Sequence, residues 1–210
     1  NGTLTTATLD NTGTLDNNGT LTTSTLENIA TLENSGTITI FTFNNDGNTT
    51  GDGTYNITGE FSSSGTFFSE AGTVNMNGTS SQIMDMEAST FYNLTINNAE
   101  SVTLNSTQTV ITNNLTINSE KIFILEADKN LTVTGTIDNY GGTAGFILKS
   151  NDLGTASLIH NSIDVPVTFQ RYITGVAEDW HFLSAPVSNQ SISGGWTPSG
   201  TYGNGTGYDL

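Results

Sequence analysis

The first 34 residues are one 17-residue unit written twice. Residues 1–17 (NGTLTTATLDNTGTLDN) and 18–34 (NGTLTTSTLENIATLEN) agree at 12 of 17 positions. Two of the five differences, Asp10/Glu27 and Asp16/Glu33, keep a negative charge. A short fixed period means that each unit buries its apolar face only by stacking on its neighbours. The leucines of one unit, Leu4, Leu9 and Leu15, are spaced by five and six residues, which no 3.6-residue helical face accommodates. Each stands in a polar–apolar–polar triplet such as Thr3-Leu4-Thr5 or Thr8-Leu9-Asp10. That is the period-two alternation of a strand with one buried face.

Three such strands, separated by Asn, Gly and Thr corners, make a three-sided coil. Coils stacked about 4.8 Å apart then put residue i over residue i+17. The expected fold is all-β: a parallel β-solenoid of three-sided coils of about 17 residues or more. Right-handedness is expected from the crossover rule for parallel strands, although the leucine spacing approaches that of left-handed hexapeptide solenoids. The register persists through Gly36-Thr37-Ile38 and Gly53-Thr54-Tyr55. Leu4, Leu21, Ile38 and Tyr55 are therefore expected to stack inside, beside Leu9, Leu26 and Phe43. Asn11, Asn28 and Asn45 are expected to form an amide ladder at one corner.

Regular coils are expected over 1–77 and longer coils over 78–163, roughly nine or ten in all. A β cap, or the start of a further β-domain, is expected over 164–210. The stretch 44–53 (NNDGNTTGDG) reads as an elongated corner or protruding loop, and 80–90 (SSQIMDMEAST) as a wider turn. In the second half, Asn93-Leu94-Thr95-Ile96 recurs as Asn114-Leu115-Thr116-Ile117 and as Asn130-Leu131-Thr132-Val133, with starts 21 and 16 residues apart. Read as rungs, these imply coils of variable length.

Charge narrows the functions open to the chain. Twenty acidic residues face four cations, Lys121, Lys129, Lys149 and Arg171, so residues 1–120 carry twelve carboxylates and no basic side chain. Such a surface repels phosphate backbones and anionic membrane faces, so neither nucleic-acid partners nor membrane insertion is expected. No apolar run approaches the roughly 20 residues of a spanning helix. With no cysteine, disulfides and thiolate metal sites are excluded.

Lyases and hydrolases are the main enzymes built on such solenoids. A uronate lyase needs cationic groups, which the first 120 residues lack. A hydrolase needs two carboxylates at close range, one with a raised pKa. Asp10/Glu27 and Asp16/Glu33 pair only by stacking on a regular outer face, which reads as solvated surface charge. No catalytic, cofactor-binding or metal-ligating residue is assigned, and the chain is read as non-enzymatic. Calcium is the one ion to consider. Stacked like charges about 5 Å apart are unfavourable and Ca²⁺ would bridge them, while Asp46 and Asp52 sit in an Asn/Asp/Gly setting that suits it. His160 and His181 are read as packed side chains. Thr3/Thr5, Thr20/Thr22 and Thr37/Thr39 would line one side as a Thr-x-Thr array like those of ice-binding solenoids, from which Thr54/Asn56 departs.

From residue 91 the run FYNLTINNAESVTLNSTQTVITNNLTINSEKIFILEADKNLTVTGTIDN, followed by FILKS, ASLIH, VTFQRYITG and WHFLSAPVSNQSI, resembles repeat regions of large secreted and surface proteins of Bacteroidota. The resemblance covers about residues 78–210. It implies export by a type IX secretion system, hence secretion machinery as a partner, and an extracellular or cell-surface location. It also implies an adhesin-like role with glycans or cell-surface components as ligands. The sorting domain that ends such proteins is not in this sequence. The expected function is an extracellular stalk or adhesin segment. A polysaccharide-binding or polysaccharide-cleaving β-helix and an ice-binding solenoid are the alternatives.

Overall fold

In the computed structural model, which describes residues 2–173, Thr3 lies beside Thr20, Thr20 beside Thr37 and Thr37 beside Thr54, all in parallel register. The same column continues to Thr73, Asn93, Asn114 and Thr136. The chain is thus a β-solenoid of about eight coils, and this column marks its first side. The second side runs from Leu9 through Leu26, Phe43, Phe61, Met84, Leu104, Leu125 and Leu148 to Phe169. The third side runs from Leu15 through Leu32, Thr49, Phe67, Ser89, Thr109 and Leu131 to Leu158.

The alternation read from sequence decides which residues enter the core. Leu21, Ile38, Tyr55, Val74, Leu94 and Leu115 stack inside the first side, while the Thr and Asn residues between them face out. An inward side chain in such a stack touches the rungs above and below as well as the two opposite sides. Full burial of one contributes about 1.5–3 kcal/mol. Five rings, Phe43, Tyr55, Phe61, Phe67 and Phe91, fill the widening interior around the fourth coil, with neighbouring ring centroids 5.0–6.4 Å apart.

The glycines that precede most first-side strands have a steric reason. A Cβ on Gly19, Gly36, Gly53 or Gly72 would overlap the carbonyl oxygen of the glycine one coil below. Through these coils the corner between third and first sides is therefore a column of closely approaching backbones, and in the next two coils Tyr92 and Asn113 take the glycine position.

Two amide ladders tie the corners. Asn11 Nδ2 donates to Asn28 Oδ1 and Asn28 Nδ2 to Asn45 Oδ1, both at 2.7 Å, and Asn45 Nδ2 ends the series on Ser63 Oγ at 3.0 Å. The second ladder, at the corner between third and first sides, joins Asn17 Nδ2 to Asn34 Oδ1 at 2.7 Å. The oxygens of Asn11, Asn17, Asn28 and Asn34 also accept the backbone N–H two residues on, whereas Asn45 Oδ1 accepts from the Thr49 hydroxyl instead. The side chain thus closes its own corner while bonding the next coil.

Four expectations are corrected. The coil count falls from nine or ten to about eight plus one strand of a ninth. First-side steps grow from 17 residues to 19, 20, 21 and then 22, so the same chain makes fewer turns. The stretch 44–53 is not a protruding loop: Asn48–Thr50 is a third-side strand, with Thr49 fully buried and donating to Asn45 Oδ1 at 2.7 Å. The stretch 80–90 is not a turn but the opening of the 15-residue strand Gln82–Ile96, with Gln82, Met84 and Met86 buried. The unit at Asn130 does not stack on those at Asn93 and Asn114. It lies on the third side, between Thr109–Ile111 and Ser157–His160, and the first side continues instead at Thr136.

The stretch expected as a β cap, or as the start of a further domain, begins within the described residues. Thr168–Phe169 pairs with Ile147–Leu148, Val165 and Val167 pack on the core, and the compact unit ends at Tyr172. Most of the expected cap, including His181, lies outside the described residues.

Candidate functional site

The three outer sides differ in chemistry. On the second side, Asp10 stacks on Glu27, and on the third, Asp16 stacks on Glu33. These are the pairs read from the repeat, and each is exposed or half-exposed on its outer face. The stacks are only two rungs deep. In the third coil Asn44 donates to Glu27 Oε1 at 2.7 Å and Thr50 follows Glu33. Asp46 and Asp52 sit at opposite ends of the strand Asn48–Thr50, and Asp46 accepts a hydrogen bond from Ser64 Oγ at 2.6 Å. Among the described residues no three His, Cys, Asp or Glu side chains converge on a point that would hold an ion.

Farther along, the second side carries Asp85, whose Oδ1 accepts from Asn105 at 3.0 Å, and the Lys149–Glu126 ion pair at 2.6 Å. The third side opens at its middle into a shallow groove lined by Thr66, Phe68, Glu87, Thr90, Gln108 and Val110. His160 closes the third side in inward register over Val133, with its Nδ1 buried and unpartnered. Another orphan is the Tyr55 hydroxyl in the aromatic cluster, and burial raises its pKa above the ordinary phenol value.

The first side stands apart. Its outer positions form two columns across eight rungs. One is the column of Thr3 to Thr136 traced above. The other runs Thr5, Thr22, Thr39, Asn56, Asn75, Thr95 and Thr116 to Asp138. Fifteen of the sixteen residues are Thr or Asn, and the only charge is Asp138 on the last rung. The twelve carboxylates of residues 1–120 all lie on the other two sides or at corners.

On the first three rungs the six outward threonine hydroxyls, from Thr3 to Thr39, have no hydrogen-bond partner among the described residues. From the fourth rung on the side chains bond along the columns: Asn75 Nδ2 to Asn56 Oδ1 at 2.9 Å, Asn93 Nδ2 to Thr73 Oγ1 at 3.3 Å, and Thr136 Oγ1 to Asn114 Oδ1 at 2.6 Å.

The Thr-x-Thr reading located the first three rungs of this surface and missed the other five. The signal was present, because Thr73-Val74-Asn75-Met76 and Asn93-Leu94-Thr95-Ile96 repeat the same polar–apolar alternation. The irregular steps between them concealed that they share a column. Comparison with protein-family models, curated proteins and solved structures yields no match to this chain.

Proposed function

We propose that this chain is a non-enzymatic extracellular stalk or adhesin segment of a larger bacterial surface or secreted protein. The observation that carries the reading is the unbroken three-ladder stack. Every interior strand of the parallel stack is bonded to a coil on each side, with the short antiparallel pair Ser150–Asn151 and Gly154–Thr155 lying outside it, and the inward residues form continuous columns. In such a quasi-one-dimensional body each coil is stabilised by its neighbours, so length is added without a new core. A rigid spacer with patterned outer sides is what projecting a binding element requires. The acidic second and third sides support solubility and discourage lateral association. The resemblance of the ordered motifs of residues 78–210 to secreted and surface proteins of Bacteroidota supports this reading, and it implies glycans or cell-surface components as ligands.

The test is antibody labelling of intact and lysed cells of the source organism. Labelling of intact cells is expected; signal only after lysis would overturn the reading.

A further inference from the structure

We propose that the uncharged first side is an ice-binding surface, docking on the regular water lattice of ice rather than on a soluble molecule. This goes beyond the stalk reading and does not depend on it.

Charge is the first argument. In a chain with twenty acidic residues, seven successive rungs of one side present only Thr and Asn outward. Solubility alone requires no such segregation, and the other two sides show that Asp and Glu fit equivalent positions. The side therefore suits a neutral partner. Hydroxyls and amides both donate and accept, so the partner must offer both, as water does.

Shape is the second. Rungs about 4.8 Å apart and outward residues about 6.6 Å apart along each strand make a two-dimensional net some 34 Å long. The net is rigid. The β-branched threonines have restricted χ1 angles, and the asparagines are held by bonds along their columns, such as Asn75 to Asn56. A surface ordered before contact loses little conformational freedom on docking. Each threonine also presents a methyl group beside its hydroxyl, so apolar and hydrogen-bonding points alternate at fixed spacing.

A soluble sugar asks for something else. Sites for small ligands are concave and largely apolar, whereas this side is an open strand face. Its outward columns hold no aromatic residue, and Tyr55 on the same side points into the core and is fully buried. A periodic net best matches a periodic ligand.

The experiment uses the full chain, measuring its partition into a slowly grown ice hemisphere and its shaping of single ice crystals. Thr22→Tyr and Thr39→Tyr place bulk on the net. Thr25→Tyr places the same bulk on the second side, and Thr22→Val keeps shape while removing one hydroxyl. Thermal melts establish that each variant is folded. The native chain and Thr25→Tyr are expected to enter ice and shape crystals, and Thr22→Tyr and Thr39→Tyr to be excluded. Thr22→Val, which keeps the shape, is expected to retain binding at reduced strength. Exclusion of the native chain from ice would overturn the proposal. So would equal behaviour of the first-side and second-side tyrosine variants, or binding to an insoluble neutral polysaccharide without partition into ice. Intact-cell labelling tests the stalk reading separately, so either can fail alone.

Discussion

Asn28 Nδ2 donates to Asn45 Oδ1 at 2.7 Å across a coil boundary, and both side chains are completely buried. Asn28 Oδ1 in turn accepts from Asn11, so a polar column runs through a solenoid corner with its donors and acceptors matched. Removing the middle amide leaves one buried donor and one buried acceptor short of a partner. Asn28→Ala should lower stability by about 2–3 kcal/mol, checked by urea denaturation. Asn28→Asp should be worse, because it buries a charge and sets a carboxylate oxygen against the acceptor Asn45 Oδ1.

Leu21 is buried between Leu4 and Ile38 while Thr22 faces outward. Leu21→Asp should melt the N-terminal coils, at a cost above about 4 kcal/mol for an unpaired buried carboxylate. Thr22→Ser should stay within about 0.5 kcal/mol of the native chain. Circular-dichroism melts of the two variants check this, and equal midpoints would contradict the ladder assignment.

The buried, unpartnered Tyr55 hydroxyl ties stability to alkaline pH. Burial raises its folded-state pKa above the ordinary 10.0, so above about pH 10 the unfolded chain loses this proton and the folded chain keeps it. The folded state then binds more protons, and stability should fall by up to about 1.4 kcal/mol per pH unit from this group. Tyr55→Phe should remove that contribution and change stability at neutral pH by less than about 1 kcal/mol, since the Asn34 side chain is the one group that offsets the effect of burial on this hydroxyl. Denaturation of both proteins at pH 8 and at pH 11 checks it.

Asp10 over Glu27 and Asp16 over Glu33 place like charges on adjacent rungs. Asp10→Asn and Asp16→Asn should each raise the thermal midpoint in low salt. The gain should fade in molar salt, where such exposed charges are screened. A midpoint that falls on either substitution would contradict the account.

The period and the alternation made the first two coils, and the first two sides of the third, legible down to register, including the columns through Leu21, Leu26 and Asn28. What escaped was set by tertiary satisfaction of polar groups. The stretch around Thr49 has the composition of a loop, yet its inward hydroxyl is bonded to Asn45, so a polar residue serves as a core residue. Gln82 is similar, with Nε2 donating to the carbonyls of Ile57 and Gly59 at 2.9 and 2.6 Å. The unit at Asn130 shows a different limit. Alternation says that one face of a strand is buried, but not which side of the coil the strand occupies, and only the pairing places Leu131 beside Thr109. The second amide ladder, Asn17 to Asn34, had the same 17-residue spacing as the first and was legible in principle.

The most direct test of the central claim, that this chain projects and presents surfaces without turning over a substrate, is incubation with a panel of acidic and neutral polysaccharides. The panel is run with Ca²⁺ and with chelator, following both binding and the release of new chain ends. The account predicts that no product appears in any condition, whether or not a polysaccharide is retained. Sustained release of unsaturated or reducing ends by the purified chain would contradict it.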